Sequence, residues 1–84
     1  MSEYKSEKEA LETASKMLEI SLESIEKVKP KKVFYEFPLY KWLDVYEIDK
    51  DGRKLTFGVS PTRTHGRKVF YGLWIIEGEE INRV

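Results

Sequence analysis

The chain has no cysteine, and that absence removes disulfide scaffolds, thiolate zinc sites, iron–sulfur clusters and cysteine nucleophiles. It has one histidine, His65, too few for a zinc site built on imidazoles. No apolar run approaches the ~20 residues of a transmembrane helix. No secretory hydrophobic region follows Met1 either, so the expectation is a cytoplasmic protein without a membrane partner. Phosphate-binding P-loops, G-x-G-x-x-G fingerprints and nucleophile elbows are all missing. An excess of one charge sign is missing too. Fifteen basic and fifteen acidic residues cancel, which argues against a whole-molecule field that would gather nucleic acid.

What is present is apolar material. Hydrophobic residues make up 40% of the chain, with two Trp, five Tyr and four Phe, enough to fold residues 1–84 as one small domain rather than leave them disordered. The charge is uneven along the chain. Residues 1–30 carry five Lys against seven Glu, whereas residues 51–76 carry Arg53, Lys54, Arg63, Arg67 and Lys68 against Asp51 alone.

The N-terminal third predicts one helix over about 7–29. Ser6 and Glu9 have capping-box spacing, so the Ser6 hydroxyl can accept from the Glu9 amide and the Glu9 carboxylate can reach back. Leu11, Ala14, Leu18, Leu22, Ile25 and Val28 recur at intervals of three and four, on one face. Glu12 with Lys16 and Glu23 with Lys27 are favourable i,i+4 pairs. Pro30 ends the helix, since it lacks an N–H and keeps Lys29 out of the α region. The stripe suits a helix laid across a sheet better than a coiled coil, where Ala14 and Ser21 would make a poor seam.

The remainder predicts strands over about 32–37, 42–49, 53–60 and 67–76, hence an α+β fold: one long N-terminal helix packed on one face of a three- to four-stranded antiparallel β-meander. Pro38 marks an edge or a bend in the first strand, and residues 39–46 read as extended after it, although Leu39, Trp42, Leu43 and Tyr46 also have helical spacing. Asp51-Gly52 is a strong type I′ turn signal and pairs Lys50 with Arg53, Ile48 with Leu55 and Tyr46 with Phe57. A second turn at His65-Gly66 would set Phe57 opposite Trp74 and Leu55 opposite Ile76. Tyr46, Ile48, Leu55, Phe57, Val59, Phe70, Trp74 and Ile76 then face the helix.

That register turns Val69, Tyr71, Leu73 and Ile75 outward, an apolar patch larger than a monomer commonly leaves bare. With Tyr40 they form the expected protein interface, and a homodimer or another protein partner is expected to cover it. The expected function is therefore a small non-catalytic binding or regulatory module with no cofactor and no metal. The alternative is nucleic-acid binding through a basic loop over 61–68, where Arg63, His65, Arg67 and Lys68 are the candidate phosphate contacts and Phe70 and Tyr71 could stack on bases. A distant third is a metal-independent ribonuclease centred on His65. Tyr35, Tyr40 and Trp42 could line a ligand pocket or fill core and interface.

Overall fold

The computed structural model describes residues 2–84. Its first helix, α1 (Glu7–Leu18), starts at the predicted place: Ser6 is the N-cap and its Oγ accepts from the Glu9 amide at 3.2 Å. It stops a full eleven positions before residue 29. Glu19 adopts a left-handed conformation (φ 54), with its amide and that of Ile20 both donating to the Ser15 carbonyl. Ser21 then caps a second short helix, α2 (Leu22–Glu26), through a 3.1 Å bond from the Ser24 amide to its hydroxyl. The apolar stripe runs on through the break, with Ala10, Ala14 and Ile25 fully buried and Leu11, Leu18, Ile20 and Val28 packed around them. Lys50 from the sheet holds the break in place: its ammonium donates to the carbonyls of Glu19 at 2.6 Å and Leu18 at 3.4 Å, at the negative end of the helix. Of the two i,i+4 pairs, Glu23–Lys27 forms, at 3.6 Å and fully in solvent.

Five strands follow, β1 (Lys31–Tyr35), β2 (Lys41–Lys50), β3 (Arg53–His65), β4 (Lys68–Glu77) and β5 (Glu80–Arg83), where three to four are expected from the sequence. They form a single antiparallel sheet in sequence order. Residues 41–46 are strand, not helix, and Pro38 sits in the bend before them. The Asp51-Gly52 turn holds the predicted register, with φ 51 and φ 76 at its two central residues and Ile48 opposite Leu55, Tyr46 opposite Phe57. The Tyr46 and Phe57 rings stack at 5.1 Å under the helix, and burial pushes the Tyr46 phenol above its ordinary value.

The second turn departs from expectation twice. It lies at Gly66-Arg67, because His65 pairs with Lys68, and the strands run to its edge, so residues 61–68 are no loop. A β-bulge between Pro61 and Arg63 then shifts the pairing by one residue. Phe57 consequently faces Ile75 rather than Trp74, and every side chain of β4 changes sides. Tyr71, Leu73 and Ile75 pack on the helix side with Tyr46, Ile48, Phe57 and Val59. Trp74 and Ile76 join Leu43 and Val45 on the opposite side.

That opposite side is not flat. Val33, Tyr35 and Leu39 from the β1 end and Ile76 and Ile81 from the β4–β5 end pack on the same small core, so the sheet curls around Leu43, Val45 and Trp74. Two glycines make the curl possible. A Cβ at Gly58 would lie 2.8 Å from Leu43 Cδ1, and one at Gly72 would lie 2.8 Å from both Trp74 and Thr62. Their missing side chains let Leu43 and Trp74 lie across the neighbouring backbone. The chain thus has two cores, one on each side of the sheet.

Candidate functional site

The largest uncovered apolar groups gather at one end of the sheet. Phe34 of β1 pairs with Trp42 of β2, and their rings meet at 5.3 Å and 60° while staying 42% and 60% exposed. Side-chain alternation puts both on the helix side, beyond the part that the helices cover. The connection between β1 and β2 adds Phe37 and Tyr40, 80% and 68% exposed, with rings edge to face at 6.3 Å. Both the Leu39 and Tyr40 amides donate to the Glu36 carbonyl, and Tyr40 takes a left-handed conformation (φ 46) that carries the chain into β2. Aromatic rings this exposed are the opposite of what the hydrophobic effect arranges in an isolated chain.

The backbone under Trp42 is held from β3. The last β2–β3 ladder pair is Asp44 with Val59, and Pro61 beyond it has no N–H to donate. Ser60 substitutes for that donor: its hydroxyl, buried at 5% exposure, bonds to the Trp42 carbonyl at 2.7 Å. Charge frames the patch. Lys32 and Lys41 border it, with Lys32 3.7 Å from Asp44. A shallow cleft lined by Lys32, Tyr40, Trp42 and Pro61 opens between them.

Of the residues expected at a protein interface, Tyr40 is exposed in this patch. Leu73 is fully buried beneath the helix, and Tyr71 and Ile75 pack beside it. The flipped register puts them in the monomer's own core. Val69 is half-buried beyond the bulge, opposite Thr64. The expected phosphate contacts divide into two groups. Arg63 is engaged: its Nε donates to Glu3 at 2.8 Å and its guanidinium lies 4.3 Å over the Phe70 ring. Thr62 also donates to Glu3, at 2.9 Å, and these bonds hold the Glu3 carboxyl below its ordinary value of 4.5. His65 is exposed at the hairpin end, paired across the turn with Lys68. Arg67 and Lys68 meet Lys5 around a cleft of about 500 Å³ floored by Val69, Phe70 and Tyr71.

Phe34, Phe37 and Trp42 were not expected to be the exposed rings. The signal that could have found them is in β1, where Val33 and Tyr35 on one side alternate with Phe34 on the other, so the strand is apolar on both faces. No helix among the described residues is long and apolar enough to cross a membrane. No protein-family model, curated protein or solved structure matches the chain.

Proposed function

We propose that this protein is a small non-catalytic binding module that works by protein–protein contact and self-associates through the aromatic surface at the β1–β2 end of its sheet. The observation that carries this reading is the set of Phe34, Phe37, Tyr40 and Trp42, four rings left 42–80% exposed at one end of the sheet, where the other exposed large hydrophobic among the described residues is the lone Met17. Tyr and Trp held by short connections keep little conformational freedom to lose on association, which favours them as contact groups. Sedimentation velocity between about 1 and 100 µM tests it, a range set by the affinity of modest interfaces. A dimer that dissociates on dilution is expected, and Trp42→Ala with Tyr40→Ala abolishes it without unfolding the chain. A monomer throughout the range refutes the reading.

A second reading, nucleic-acid binding at the β3–β4 hairpin, has its own support in the convergence of Lys5, Arg67 and Lys68 beside Phe70 and Tyr71. It predicts a gel shift with single-stranded oligonucleotides whose log affinity falls steeply with log salt. Arg67→Ala with Lys68→Ala removes that shift, whereas Arg63→Ala changes it less because Arg63 is already committed to Glu3. Binding indifferent to those substitutions would sink it.

A further inference from the structure

We infer that two copies of the chain associate edge to edge through β1, antiparallel about a two-fold axis at Phe34, so that the two five-stranded sheets become one. The inference rests on the self-association reading above and gives it a geometry.

The first support is that β1 is an open edge. It pairs only with β2, and it meets the rest of the sheet through the inward side chains of Val33 and Tyr35, not through its outer backbone groups. Among the described residues none of its backbone groups has a partner outside that ladder. Its outward N–H and C=O groups are a template for one more strand. Charge and proline usually blunt such an edge, and here Pro30, Lys31 and Lys32 do so at one end only. The other end, Val33, Phe34 and Tyr35, is unprotected and apolar.

The second support is what symmetry does to the side chains. A two-fold normal to the sheet keeps each residue on its own face, so paired residues must share parity. An axis at Lys32 would oppose two lysines. An axis at Val33 would set Lys32 against Phe34′ and Lys31 against Tyr35′, leaving four ammonium groups without an acidic partner across the interface. An axis at Phe34 sets Phe34 against Phe34′, Val33 against Tyr35′ and Lys32 against Glu36′, each of the last two pairs occurring twice. Of the registers centred on Lys32, Val33 and Phe34, the last alone sets opposite charges against each other and apolar residues against apolar ones.

The third support is continuity. Trp42 already lies beside Phe34 in the next strand at 5.3 Å, so the axis produces an unbroken row Trp42, Phe34, Phe34′, Trp42′ across the joined sheet. The exposed rings are then the middle of an interface and not a surface left bare. Helix α2 touches β2 and no helix touches β1, so neither copy's helices obstruct the approach.

Charge reversal tests the register. Lys32→Glu places Glu opposite Glu36′ twice, and Glu36→Lys places Lys opposite Lys32′ twice. Each is expected to raise the dimer dissociation constant about tenfold, since two repulsive pairs replace two attractive ones. The double reversal restores it to within about threefold of the parent, as swapped partners predict. In parallel, Phe34→Cys introduces the chain's one thiol at the axis, and mild oxidation should give a disulfide-linked dimer much faster than Arg53→Cys at the far end of the sheet. A parent dimer whose affinity ignores both single reversals, or whose double reversal is no better than either, overturns the edge geometry and leaves self-association standing. Equal cross-linking rates at the two cysteine positions overturn it as well. A parent that stays monomeric overturns both.

Discussion

The two edges of the sheet carry one tryptophan each in the adjoining strand, and the two are treated oppositely. Trp74 on β4 is 3% exposed, lies across Gly72 and takes the Arg83 guanidinium of β5 over its ring at 5.2 Å. Around it the edge is finished. β5 is four residues long, with Glu80 and Arg83 on it, and the N-terminal segment completes the row beside β4 through reciprocal 2.8 Å bonds between Tyr4 and Tyr71. Trp42 on β2 is 60% exposed beside a strand whose outer edge has no paired strand among the described residues. The same residue type is thus built into a core at one edge and left bare at the other. What separates them is whether the chain supplies a neighbour of its own.

Exchanging each tryptophan for alanine is the most direct way to break that contrast. Trp74→Ala is expected to cost about 3–5 kcal/mol, because it empties the inner core and releases Arg83. Trp42→Ala should move the monomer's unfolding free energy by less than about 1 kcal/mol, as surface changes do, while weakening association. Urea titrations followed by fluorescence read both, since each variant keeps the other indole as reporter. Equal losses of stability would erase the distinction between the edges. In the parent, the emission of Trp42 should shift to the blue with rising protein concentration.

Next in size is Gly72→Ala, which attacks the curl that finishes the β5 edge. The added Cβ would sit 2.8 Å from Trp74 and from the Thr62 methyl, and both are held by packing rather than free to swing away. Overpacking of this kind costs about 1–3 kcal/mol. Chemical denaturation should show a lowered midpoint, with self-association intact because the β1 edge is untouched. A variant as stable as the parent would mean that the curl has slack.

How much of this was legible before the structure depends on what kind of signal each feature has. Asp51-Gly52 and Ser6 act through local backbone chemistry, and both did what their residue types predict. The bulge at Pro61–Arg63 has no such local code. A turn misplaced by one residue moves each strand partner by two and preserves the faces, whereas the bulge moves it by one and reverses them. On alternation alone Phe70, Trp74 and Ile76 therefore read as facing the helix, and Tyr71, Leu73 and Ile75 as facing outward. The helix break escaped for a different reason. Periodicity from Leu18 through Leu22 to Ile25 is continuous, so the stripe cannot register that the backbone turns left-handed at Glu19, although Ser21 is a good cap for a new helix. β5 carries little local signal, since its four residues include Glu80, Asn82 and Arg83. Of the candidate surface, Tyr40 is among the expected interface residues and Phe34 is not, because its strand is apolar on both faces.

Ser60→Ala sharpens the contrast from the β1 side. The hydroxyl is buried and bonds the Trp42 carbonyl where Pro61 leaves the ladder short of a donor. Losing it leaves that carbonyl unsatisfied, at a cost of about 1 kcal/mol. The more telling readout is association. With its backbone released, Trp42 is held less rigidly, and the dimer should weaken more than the monomer does, measured by sedimentation beside a melt. A loss confined to the melt would make Ser60 a fold residue alone.

The smallest expected effect belongs to the β5 side and is a dependence on pH. The Arg63 guanidinium, followed by the Thr62 hydroxyl, holds the Glu3 carboxyl below its ordinary 4.5 in the folded chain. A depressed folded value means that the unfolded chain binds the proton more readily. The stabilisation is thus complete above the unfolded value and is lost as pH falls through the lower, folded one. Water reaches the pair and screens it, so its weight in the global unfolding curve is small. Its local weight is larger, because Glu3 adjoins Tyr4, whose bonds to Tyr71 fasten the N-terminal segment to β4. Amide exchange at Tyr4 and Tyr71 should therefore quicken in acid beyond the intrinsic change, and Glu3→Gln should show the faster exchange already at neutral pH. Exchange in the parent and in Glu3→Gln that stays identical from pH 7 to pH 4 would mean that the edge is closed by its backbone bonds alone.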